Sequence, residues 1–107
     1  MEVAVKNKAE LINRIMTNSY RLRQFGVLEI GVFGSFVKDQ ANEKSDVDFY
    51  VDIAPKFKTL KNFTGLADTL EEITGRKIEL VTPQSLSKYI GPFILKEVEY
   101  VPLSVAR

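Results

Sequence analysis

The residues in this chain best suited to chemistry are three acids and a Gly-Ser pair. Asp46 and Asp48 sit two apart at the start of a strictly alternating run that ends at Ile53. On a strand, side chains two apart point the same way, so these carboxylates share a face with Cα atoms roughly 6.5 to 7 Å apart. Two acids at that spacing can converge on one hard cation. Mg2+ suits such a pair, because it takes oxygen ligands, keeps several waters and lets substrate phosphates complete its shell. Upstream, Gly34-Ser35 follows an apolar run, where a Gly lets backbone approach a ligand and a Ser can cap a helix whose free N-H groups favour phosphate. Downstream, Glu79 lies between Ile78 and Leu80, which would face the core and turn its carboxylate outward.

Taken singly, each motif has an ordinary reading. Alternate acids on a strand usually mark a solvated face, and Gly-Ser after a strand is usually a turn. The order is more specific: strand, Gly-Ser, ten residues from Phe36 to Ser45, Asp-x-Asp on a strand, then a later strand bearing Glu79. Asp52 shares the strand face but lies roughly 13 Å beyond Asp48, and about 20 Å from Asp46, by strand rise, and reads as a solvated or ion-paired acid.

The elements that must position these residues follow from periodicity. Leu11, Ile12, Ile15, Met16, Leu22 and Phe25 recur at helical spacing and predict one amphipathic helix from Lys8 to Phe25, stopped by Gly26. Val27 to Phe33 and Asp46 to Ile53 predict strands, the second with Val47, Phe49, Val51 and Ile53 inward and Asp46, Asp48, Tyr50 and Asp52 on a polar face. Leu60 to Ile73 predicts a second helix ended by Gly75, and Lys77 to Val81 a third strand. Thr82-Pro83 predicts a short helix that Gly91-Pro92 interrupts before a turn through Ile94, Leu95 and Val98, while EYVPL carries no clear signal. The pattern is a small α/β (α+β) fold, a sheet with helices packed on it, and residues 1–107 are expected to form a single domain.

Composition limits the chemistry. The chain has no Cys and no His, which removes thiolate catalysis, Cys-ligated metals and the commonest general base. Carboxylates, hydroxyls, Lys, Arg and a hard cation are left. Fifteen Lys plus Arg against fourteen Asp plus Glu, without a clustered run, argue against direct nucleic-acid binding. No apolar stretch approaches the ~20 residues of a membrane span and the N-terminal sequence does not read as a signal peptide, so no membrane partner and a cytoplasmic location are expected.

Gly34-Ser35, Asp46-x-Asp48 and a third acid on a later strand resemble the signature of the DNA polymerase β-type nucleotidyltransferase superfamily. The short length and the segment KIELVTPQSL are more specifically similar to the minimal nucleotidyltransferases, antitoxin partners of HEPN-domain toxins. The resemblance spans roughly Leu11 to Val101. It implies a nucleotidyltransferase fold, with Gly34 and Ser35 on the triphosphate of ATP, and Asp46 and Asp48 as ligands of two Mg2+ ions. Glu79 would complete the second metal site and help deprotonate the acceptor. It further implies AMP transfer from ATP to a tyrosine of a HEPN RNase toxin, with any oligomer arising through the toxin complex.

This sequence departs from the family at Phe36-Val37-Lys38-Asp39, where many relatives carry an Arg and a Gly, so Lys38 is the nearest cation for phosphate. The third acid is Glu where Asp is common. Two other readings stay open: a binding-only antitoxin with weakened catalysis, and nucleotidyl transfer to a small molecule, against which the short length argues. The apolar stretch Ile94 to Leu103 is a candidate interface.

Overall fold

In the computed structural model, residues 3–103 are described. They form a four-stranded mixed sheet in the order β3-β2-β1-β4, with β1 at Val27–Phe33, β2 at Val47–Ile53, β3 at Ile78–Val81 and β4 at Glu99–Tyr100. β1 runs antiparallel to both β2 and β4, whereas β2 and β3 are parallel and joined by a helical crossover, as parallel neighbours must be. The helices are α1 (Lys8–Thr17), α2 (Ser19–Arg23), α3 (Leu60–Thr74) and α4 (Gly91–Glu97). None is long and apolar enough to cross a membrane among the described residues.

One sheet face and the inner stripes of α1, α2 and α3 form the core. Ile30, Val32, Val47, Phe49, Val51 and Ile53 from the sheet meet Leu11, Ile15, Leu22, Leu66, Leu70 and Ile73, all at most 5% exposed. Each such side chain contributes roughly 1.5–3 kcal/mol on leaving water. The alternation in β2 therefore fixes its register, since a one-residue slip would bury Asp48 and expose Phe49. A bulge in β1 between Val27 and Glu29 lets Val27 and Ile30 both face the core although they are three apart, and leaves Leu28 exposed.

The caps explain the boundaries. Asn7 accepts a hydrogen bond from Glu10 N at 2.9 Å to open α1, Thr59 accepts from Asn62 N to open α3, and Gly75 closes α3 in the left-handed region at φ 69°. The single helix expected from Lys8 to Phe25 is instead two. Asn18 Nδ2 donates to Arg14 O and Ser19 Oγ to Met16 O, so short polar side chains take up carbonyls at the junction and the chain bends there.

The C-terminal third also differs from expectation. Thr82-Pro83 opens only a 3-10 turn, Pro83–Ser85, closed by a capping box between Thr82 and Ser85. Gly91-Pro92 does not interrupt a helix but starts α4, with Pro92 in the first turn where it has no N-H to waste. The unassigned EYVPL supplies β4, which pairs with Gly31 and Val32 of β1. Gly31 makes this approach feasible: a Cβ there would meet Val98 Cγ1, and would come within 3.2 Å of Glu99 O. With no side chain between them, Tyr50 and Tyr100 flank Gly31 and pack edge to face at 6.1 Å. Tyr50 is consequently buried, so the expected polar face of β2 is interrupted by an aromatic pair.

Candidate active site

The predicted residues meet at the ends of the three strands nearest Gly34. β1 ends at Phe33, opposite Asp48 in the antiparallel register, and the parallel register sets Asp48 beside Glu79. Neighbouring strands are about 4.8 Å apart, so these carboxylates come from positions one strand spacing apart. Asp46 lies one residue before β2 and is exposed, as is Glu79, whereas Asp48 is half-buried between them.

Crowding shows in the protonation of Asp48. Its pKa is raised from the ordinary 3.8 to about 6, first by burial, then by the charge of Glu79 and a side-chain hydrogen bond with it, and lastly by the charge of Asp46. No salt bridge to any of the three acids occurs among the described residues. A group of oxygen donors that repel one another fits a hard divalent cation, which would offset both the burial and the neighbouring charge that raise the Asp48 pKa. The three acids are gathered rather than closed: among the described residues no three acidic side chains form a ready-made metal cage.

Gly34 is fitted to Asp48 in two ways. Its φ of 76° lies in the left-handed region, and the place a Cβ would take is already filled by Asp48 Oδ2, with Cγ 3.1 Å away. Gly34 is thus both a turn residue and the floor under the central carboxylate. Residues Gly34–Phe36 form a 3-10 turn in which the N-H groups of Val37 and Lys38 return to Gly34 O at 3.1 Å. Phe33, not Ser35, is the capping residue, so Ser35 belongs inside the turn rather than at its cap. Its hydroxyl has no hydrogen bond among the described residues.

Lys38 lies just beyond this turn, but its Nζ is 3.0 Å from Glu97 Oε1 at the end of α4. Asp39 follows in the left-handed region at φ 57°, which Asp tolerates, and turns the chain away. Glu97 was not a predicted site residue; its pairing with Lys38 crosses more than fifty residues of sequence and leaves no local pattern to read. A cavity of about 420 Å³ opens beside Asp46, with Lys44, Ser45, Arg76 and Lys77 on its walls. A second, of about 330 Å³, lies under Ile53, Phe57 and Phe63 at the far end of β2, away from the acids.

The arrangement is a glycine turn after β1, Asp48 on the antiparallel neighbour with Asp46 just before that strand, and Glu79 on a parallel neighbour. The nucleotidyltransferase domain family matches residues 16–101, and the chain belongs to that family of enzymes. It is 44% identical over 94 residues to the protein adenylyltransferase MntA of Thermococcus cleftensis, covering 86% of this chain and 94% of the relative. A solved structure described provisionally as a minimal nucleotidyltransferase superposes with a TM-score of 0.78 at 24% identity, covering 91% of this chain and 98% of that one. A chain from the complex of tri-AMPylated Shewanella oneidensis HEPN toxin with MNT antitoxin superposes with a TM-score of 0.62 at 19% identity, over 91% of this chain and 73% of that one. At those identities the structural likeness shows the fold.

Proposed function

We propose that this protein is a Mg2+-dependent protein adenylyltransferase acting as an antitoxin, which transfers AMP from ATP to a tyrosine of a partner HEPN RNase toxin. The observation that carries this reading is the juxtaposition of Asp48 with Glu79 above Gly34, because an acid pair over a glycine turn joins metal ligands to a phosphate seat. The name of the 44% identical relative, and the AMPylated toxin bound to an MNT antitoxin in the solved complex, support the acceptor class. Residues 1–107 would act as one minimal domain in the cytoplasm.

In this reading Asp46, Asp48 and Glu79 hold the metal ions, which when bound neutralise the triphosphate and lower the pKa of the acceptor hydroxyl. Gly34 leaves room for the Asp48 carboxylate beside the turn, and backbone N-H groups and Ser35 Oγ of that turn contact the phosphates. The acceptor oxygen forms a bond to the α-phosphorus as the α-β bridging bond breaks, and pyrophosphate leaves with that electron pair. The hydroxyl proton passes to a carboxylate of the trio, and Glu79, exposed on β3 beside Asp48, is the residue assigned that role.

The pairing of Lys38 with Glu97 favours a second reading, a binding-only antitoxin, since the nearest cation is engaged away from phosphate. Co-expression with the product of the adjacent gene separates the two. Intact mass of that partner after incubation with ATP and Mg2+ should rise by about 329 Da per transferred AMP, and only with metal present. Partner neutralisation by Asp46→Ala plus Asp48→Ala, with no adduct from wild type, would establish the binding-only reading instead.

A further inference from the structure

Resting on the nucleotidyltransferase reading of the site, we infer that Arg76 is a positioning residue that joins the metal half of the site to the phosphate half. Arg76 follows the left-handed Gly75 that ends α3 and precedes β3. Its Nη1 donates to two carbonyls, Asn42 O at 2.8 Å and Ser45 O at 2.9 Å, and its Nε donates to Val5 O at 2.8 Å. The guanidinium carbon lies over the ring of Phe36, 5.0 Å from its centroid.

These partners sit where position matters most. Ser45 immediately precedes Asp46, and Phe36 immediately follows Ser35. Asp46 itself is exposed and makes no hydrogen bond or ion pair among the described residues, so its neighbours determine its place. On one side Ser45 O is held by Arg76; on the other Val47 N donates to Lys77 O at 3.0 Å, one residue along from Arg76. The Asn42 carbonyl that Arg76 grips also closes the Asn42–Ser45 turn by accepting from Ser45 N, while Asn42 N donates to Ser45 Oγ at 2.8 Å. Phe36 is buried, so the guanidinium over its ring ties the Asn42–Ser45 turn to a fixed point at the end of the Gly34–Phe36 turn.

A Lys at this position could keep the charge but not the rigid fork whose Nε holds Val5 O while its Nη1 holds the carbonyls of Asn42 and Ser45. The Asp46 arm would then sample more positions, and metal held by Asp46 would weaken as it does when groups supporting metal ligands are removed.

The test is Mn2+ binding by the free protein in the presence of ATP, followed by electron paramagnetic resonance, which needs no acceptor. Arg76→Met is expected to weaken Mn2+ binding about tenfold. Arg76→Lys, the variant to rely on if Arg76→Met does not fold, is expected to weaken it about threefold. Ile15→Val in the core lowers stability without touching either turn and should bind as wild type does. Binding by both Arg76 variants equal to that of wild type would overturn the inference and leave the functional reading standing. Wild type that binds no Mn2+ with ATP would sink the functional reading, and this inference with it.

Discussion

Replacing Asp48 with Asn should stabilise the metal-free protein while destroying its activity. In the folded state the Asp48 carboxyl titrates at about 6 against an ordinary 3.8, so the native protein holds this proton more tightly than the unfolded chain does. Its contribution to stability is therefore intact below pH ~4, is lost as pH rises from ~4 to ~6, and is fully lost above that. Unscreened, the shift corresponds to about 3 kcal/mol. Asp48 is only half-buried, and solvent screening brings the realistic figure to about 1 kcal/mol. Asn keeps the size and removes the charge, so in EDTA at pH 7.5 Asp48→Asn should melt roughly 4 °C above wild type, with the gap closing toward pH 4. Circular dichroism melts at both pH values measure this directly. Mg2+ should then raise the melting temperature of wild type at pH 7.5 and leave Asp48→Asn unmoved, because only a ligand that binds the native state stabilises it. A variant no more stable than wild type at pH 7.5, or one stabilised equally by Mg2+, would refute the claim that crowded carboxylates strain this site for a cation.

Other substitutions probe the surrounding contacts. Gly34→Ala puts a methyl group on Asp48 Oδ2 and forces a left-handed φ, so it should cost at least 1–2 kcal/mol in chemical denaturation and abolish ATP binding in calorimetry. Gly31→Val should push Val98 off β1 and expose Tyr50, read as faster amide exchange in β4 and a change in tyrosine near-ultraviolet dichroism. Glu97→Gln breaks an exposed ion pair, so melting should move by less than the equivalent of 1 kcal/mol. Freed from Glu97, Lys38 should lower the KM for ATP; an unchanged KM would place Lys38 outside the phosphate site.

How much of this was legible in the sequence depended on the range of the signal. β2 could be read because burial on one face imposes a period of two on adjacent residues, and α3 because its apolar residues recur at helical spacing and Gly75 marks its end. Gly34, Asp46, Asp48 and Glu79 stood out by order and spacing, and the structure brings Gly34, Asp48 and Glu79 into adjacent registers with Asp46 one residue before β2. The break at Asn18 escaped because apolar spacing continues through it while the polar side chains that cause it compete quietly for carbonyls. β4 escaped because two residues carry no period and depend on a glycine nearly seventy positions away. Arg76 and Glu97 escaped for the same reason: backbone carbonyls and a distant lysine are their partners, and neither pairing leaves a motif.

Nucleotidyl transfer through Asp46, Asp48 and Glu79 can be followed with labelled ATP. With the purified complex, Mg2+ and ATP labelled at its α-phosphate, the partner should retain label, with none retained from ATP labelled at the γ-phosphate and none when Asp46 and Asp48 are both Asn. Label retained from the γ-phosphate, or α-label retained by the double variant, would contradict the account.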